Sequence, residues 1–143
     1  MKQDDITILK EIQKNTQMAM TTIDALLDKS TDNEFTTSLS KQSLGYAKIH
    51  NDAVEKLVEE GSGTYRNNQI NDIMLRGSVH MGTLTNISTS HLAEMMIAGS
   101  NRGLTNMYKA VKHNASAQDM SVELAREFMD FEEKNIERLK EYL

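Results

Sequence analysis

Apolar residues recur at alternating steps of three and four along most of this chain, the spacing that lines one face of an α-helix. The first such run predicts a helix from about Asp4 to Asp28, with Leu9, Ile12, Thr16, Ala19, Ile23 and Leu26 on one stripe. Asp4 and Asp5 suit its start, where the helix dipole favours negative charge. A second helix is announced by Thr31-Asp32-Asn33-Glu34, a capping-box spacing. Its stripe is Phe35, Leu39, Gln42, Tyr46, Ile49, Ala53 and Leu57, and Gly61-Ser62-Gly63 ends it. Lys48, Asp52 and Lys56 make its outer face charged. A third segment keeps the rhythm through Ile70, Ile73, Gly77, His80, Leu84 and Ile87, from about Asn68 to Asn86. Ser88-Thr89-Ser90 reads as a new N-cap. The fourth helix then covers about His91 to Lys112 on Leu92, Met95, Met96, Gly99, Gly103, Met107, Ala110 and Val111. A turn at His113–Ser116 leads to a fifth helix carrying Leu124, Phe128, Phe131, Asn135 and Leu139, and running to the C-terminus.

No stretch shows the alternation of a strand, so the expectation is an all-α chain with five helical segments, forming one domain over residues 1–143. Short turns join segments one to two and four to five, so each pair should be antiparallel. About 28 residues separate the pairs, from Gly61 to Ser88. A helix of ~25 residues spans ~37 Å, so the third segment is long enough to run back along the bundle. Four core helices plus a helical crossover would give an up-down, ferritin-like arrangement. A plain up-and-down bundle uses the same segments.

Composition sharpens this picture. The chain has no proline, which permits long unbroken helices. With 10 methionines, 4 tyrosines, 3 phenylalanines and no tryptophan, the core must be aliphatic and Met-rich. Methionines at helical spacing fit a core better than haem or Cu(I) ligation. The absence of cysteine excludes disulfides, thiolate metal sites and a cysteine nucleophile. A formal charge of −5 with mixed signs argues against non-specific nucleic-acid binding. No apolar run reaches the length of a signal peptide or of a membrane span, so a cytoplasmic protein without a membrane partner is expected.

Bundles of this kind often carry a di-iron site built from two Glu-x-x-His motifs and two further glutamates. This chain contains no Glu-x-x-His: the residues three before His50, His80, His91 and His113 are Ala47, Gly77, Ser88 and Ala110. The stretch SHLAEMMIAGSNRGLTNMYKAVKHN and the following ELAREFMDFEEKNIERLKEYL nonetheless resemble uncharacterised ferritin-like bundle proteins of Gram-positive anaerobes. The ending FEEKNIERLK is also similar to the last helix of rubrerythrin-type proteins. The resemblance implies a ferritin-like fold with its metal ligands lost. Glu132 stands where a ligand glutamate would stand, but Asn135 occupies the place of its histidine. The middle of the second helix offers Gln42 and Tyr46, and that of the fourth Gly99, Gly103 and Asn106. No metal and no cofactor is therefore expected.

The candidate site is a polar core or pocket made of Gln42, Tyr46, His80, Asn106, Glu132 and Asn135. A hydrogen-bonded network inside the bundle accounts for these residues without any ligand, and His80 reads equally as a satisfied histidine on the seam. Gly99 and Gly103 suggest close packing of the fourth helix against a backbone or a side chain such as Phe128 or Phe131. No catalytic constellation assembles in the sequence. The first functional expectation is a non-enzymatic bundle that acts through self-association, as a homodimer, or through a protein partner. The alternatives are a small-ligand carrier or sensor with a pocket between helices, and a ferritin-like metal-dependent oxidoreductase with an atypical site.

Overall fold

The computed structural model describes residues 3–64 and 87–143. Four α-helices carry these residues: α1 (Gln3–Leu27), α2 (Asn33–Glu59), α3 (Thr89–His113) and α4 (Asp119–Leu139), followed by a short 3-10 turn at Lys140–Tyr142. About 85% of the described residues are helical and none is in a strand, so the chain is all-α there. None of these helices is long and apolar enough to cross a membrane. The expected third segment, with His80 on its seam, lies outside the described residues.

Local chemistry sets the helix ends. Asp32, not Thr31, caps α2: its side chain accepts from the Phe35 N–H at 2.9 Å. Asp32 therefore supplies the bond that the capping-box spacing assigns to Thr31, one residue along the chain. Ser88 caps α3 by accepting from His91 N–H. At the other end of α2, Gly61 takes the left-handed conformation (φ 68°), with Gly61 N–H bonded to Val58 O and Ser62 N–H to Leu57 O. This is the paired closure that glycine permits at a helix C-terminus.

Helix directions follow from contacts at the ends and middles. Asp4 and Asp5 at the start of α1 reach the start of α4, so these two helices run the same way. Tyr142, after α4, packs edge-on against Phe35 at the start of α2, with ring centroids 5.0 Å apart. Helix α2 is therefore antiparallel to α4. Asn15 of α1 meets Asn106 of α3, which with the short α3–α4 turn sets α3 parallel to α2. Glu59 and Thr89 thus lie at opposite ends of the bundle.

The core is aliphatic. Ile8, Leu9, Ile12, Ile23 and Leu26 of α1 pack with Leu39, Ile49, Ala53 and Leu57 of α2, and with Leu92, Met96, Met107, Leu124, Phe128 and Leu139. The stripe expected of α2 is the stripe found buried, residue for residue. Helix α3 departs from expectation: Ser100 replaces Gly99 on the buried face, which reads Leu92, Met96, Ser100, Gly103 and Met107. Gly99 is exposed, and a Cβ built on it meets nothing within 4 Å, so no neighbour packs closely there. The close approaches are at Gly103, beside Glu132 and Phe128, and at Gly45, where the Phe131 ring occupies the space a side chain would take.

One cap comes from far away in sequence. Gln118, at the start of α4, makes no side-chain cap. Instead the fully buried Asp5 carboxylate accepts from Gln118 N–H at 2.8 Å and from Ser121 Oγ at 2.6 Å. Asp4 accepts from Ser116 N–H. Asp5 thus serves the dipole of another helix as well as its own. Replacing Asp5 by alanine orphans a helix-end N–H and leaves Ser121 Oγ only its longer bond to Gln118 O, and is expected to cost about 1–2 kcal/mol. Urea unfolding at neutral pH measures this, and a change below about 0.5 kcal/mol, the usual range for surface substitutions, would show that the cap is dispensable.

Candidate functional site

Halfway along the bundle the apolar core is interrupted by a polar layer. The uninterrupted three-four stripes of α2 and α4 carry Tyr46 and Glu132 inward, and the Tyr46 hydroxyl donates to Glu132 Oε1. Tyr46 is fully buried and Glu132 is 2% exposed. Burial pushes the Glu132 carboxyl up to about 7, against the opposing help of hydrogen bonding from Tyr46 and Ser100. Burial, then the nearby Glu132 charge, push the Tyr46 phenol well above its ordinary range. The pair is therefore a phenol that keeps its proton at neutral pH, beside a carboxyl that gives its proton up far less readily than an ordinary glutamate does.

Ser100 and Asn135 stand close to this pair and favour its charged forms. Yet Ser100 Oγ and both amide atoms of Asn135 complete no hydrogen bond of ordinary geometry, and neither do those of Gln42, one turn before Tyr46 on α2. Buried polar atoms are normally paired, and each one left over costs roughly 1–3 kcal/mol. A layer with five such atoms is expensive as packing alone.

The layer opens toward solvent between α1 and α3. A cleft of about 70 Å³ runs from the exposed edge at Gly99 down to Glu132, Tyr46 and Ser100. Met18 and Ala19 of α1 and Met96 of α3 form apolar walls, and Arg102 lines its exposed rim. A single water needs roughly 10–15 Å³ of such space, so the cleft admits a few waters or a compact organic group. One wall is pinned by polar contacts: Asn106 Nδ2 donates to Asn15 Oδ1 at 3.1 Å, and Asn15 Nδ2 donates to Glu11 O and Glu11 Oε1.

Of the residues expected from sequence, Tyr46, Glu132 and Asn135 come together, and Gln42 lies one turn along the same buried face. Asn106 lines the cleft, while His80 lies outside the described residues. Asn15 and Ser100 belong to the site but were not anticipated. Ser100 had a visible signal, since it continues the steps from Met96 to Gly103. Asn15 adjoins Thr16 of the apolar stripe, and nothing in the sequence marks it as inward-facing.

Compared with known proteins, the chain matches no family model, no curated protein and no solved structure. The site must be read from its own chemistry. A di-iron centre of the kind a ferritin-like fold implies requires several carboxylates and histidines converging on one point. Among the described residues no three His, Cys, Asp or Glu side chains converge. Glu132 is met instead by a phenol and a hydroxyl, and this donor set does not fit such a centre.

Proposed function

We propose that this protein is a small-ligand-binding helical bundle, a carrier or sensor whose ligand enters between α1 and α3 and reaches the Tyr46–Glu132 pair. The observation that carries this reading is the cleft itself: it runs between apolar walls down to the buried Glu132 carboxyl, beside a Ser100 hydroxyl that completes no hydrogen bond of ordinary geometry. Small-molecule sites commonly combine apolar walls with a few converging polar groups. The bundle itself is read as ferritin-like, supported by α2 and α3 sharing a direction. Self-association has less support. The large apolar side chains exposed among the described residues are Leu44 and Val58 of α2, Tyr108 of α3 and Leu143, and singly exposed apolar residues are ordinary on protein surfaces.

The test is an NMR titration of the isotope-labelled protein with compact alcohols, amides, amines and carboxylates. At least one class is expected to shift the amide signals of Met18, Gly99, Ser100 and Gly103 saturably. Gly99→Leu, which places a side chain in open space at the mouth, should remove that response. If no class saturates these signals, the ligand-binding reading fails.

A further inference from the structure

Resting on that ligand-binding reading, we propose that the cleft takes a small primary ammonium compound. Its cationic head seats on the Glu132 carboxylate beside Ser100, and its short carbon chain lies along Met18, Ala19 and Met96.

The argument begins with an uncompensated acid. The ion pairs found among the described residues are Lys48–Glu127, His91–Glu94 and Lys140–Glu137, all at the surface. None involves Glu132, although it is buried and acidic. Such groups are ordinarily paired, because an isolated charge is costly to hold out of water. Tyr46 occupies Oε1. The other oxygen, Oε2, points at Gly103, where even a methyl carbon would come within 2.5 Å of it. Glycine at that position lets Oε2 lie against the α3 backbone, where Glu132 and Gly103 together line the cleft.

The floor offers two acceptors of the kind an ammonium needs, and the open mouth leaves its third N–H to water. A primary ammonium carries three donors and no acceptor. Glu132 Oε2 is an anionic acceptor, and Ser100 Oγ, whose lone pairs remain available beside it, is a second. A bound cation would offset a desolvation cost that the folded chain already bears at Glu132. An anionic ligand would instead bring like charges together and force a proton onto the carboxyl. The other polar groups lining the cleft are Tyr46 from α2, Ser100, Arg102 and Asn106 from α3, and Asn15 and Thr22 from α1. Arg102 is the one cation among them, and it stands on the exposed rim. The walls are short and apolar, which suits a chain of a few methylenes and excludes a bulky ring.

Protons and ligand compete for the same oxygen. With the carboxyl pushed up to about 7, binding should be strongest above neutrality. It should weaken by about tenfold per pH unit well below it. A structural role for Glu132 alone would produce no such profile.

The experiment titrates the full chain with n-propylammonium, propionamide and propionate at about pH 8, following the same amide signals by NMR and heat by calorimetry. Propylammonium is expected to saturate the cleft signals, with propionamide and propionate weaker by about tenfold or more. Glu132→Gln should weaken propylammonium by about tenfold or more, Ser100→Ala by less, and lowering the pH of the unaltered protein to about 5.5 should also weaken it. The pH series needs no variant to fold. If propionamide or propionate binds as well as propylammonium, or if Glu132→Gln leaves propylammonium binding intact, the ammonium assignment is overturned while the cleft remains a ligand site. If none of the three saturates, the ammonium assignment is overturned directly; the wider panel above then decides whether the cleft reading falls too.

Discussion

Glu132→Gln is expected to be more stable than the unaltered protein at about pH 8, by up to about 3 kcal/mol, with the difference closing by about pH 5. Burial raises the carboxyl from an ordinary 4.5 to about 7. The folded chain therefore binds this proton more tightly than the unfolded chain does. Stability from this group is fully present below about pH 4.5, declines as the unfolded carboxyl ionises, and is lost once pH passes about 7. The difference between the two values, at 1.36 kcal/mol per pH unit, sets the magnitude. Glutamine keeps an oxygen for the Tyr46 hydroxyl but carries no charge to desolvate. Other carboxylates titrate in both proteins, so the difference between the two stability curves isolates Glu132. Urea unfolding of both from about pH 4 to 9 provides those curves. A constant difference across that range, or a variant weaker than the parent at high pH, would contradict the raised carboxyl.

Two glycines one turn apart on α3 are expected to respond in opposite directions. Gly103→Ala should lose about 1–3 kcal/mol, the usual result of overpacking. Its Cβ would stand 2.5 Å from Glu132 Oε2 and 3.4 Å from Phe128 Cζ. Neither neighbour yields easily: Tyr46 holds the other Glu132 oxygen, and Phe128 is fully buried. Gly99→Ala should gain up to about 1 kcal/mol, because alanine favours the helix and its methyl group meets nothing. Equilibrium denaturation of the two single variants decides the matter. The same sign for both would mean that α3 is rotated from the orientation described here.

The α2 stripe was fully legible because each of its buried residues falls on one continuous three-four series. Helix α3 was less so. Two glycines attract attention as packing residues, but glycine's small side reads the same whether it faces a neighbour or open water, and only Gly103 faces a neighbour. The polar layer was half visible. Gln42, Tyr46 and Asn135 stand on apolar seams, so their burial follows from periodicity, whereas Glu132 adjoins a surface rich in Glu and Lys. It continues the steps from Leu124 and Phe128 to Asn135 and Leu139, but the neighbouring Phe131 competes for the same place on that series, and the apolar ring is the more obvious choice. Asn15, Gly45 and Asp5 depend on partners about 90 to 110 residues away, at Asn106, Phe131 and Gln118. Such contacts leave no periodic trace. The Phe131 ring lies across Gly45 and stands edge-on to Tyr46, with centroids 4.9 Å apart at 87°, so a half-buried surface residue also braces the site.

The Asp5 cap gives one backbone proton an unusual meaning. The Gln118 amide sits at the first turn of a helix, where exchange with solvent deuterium is ordinarily rapid because helix ends fray. Here its acceptor lies 113 residues away on α1. That proton is protected only while the first turn of α1 stays docked on the start of α4, so its exchange reports the opening of that contact. A single peak in a hydrogen-exchange experiment thereby times the docking of the chain's first turn on its last helix, read at a residue whose own neighbourhood suggests nothing of the kind.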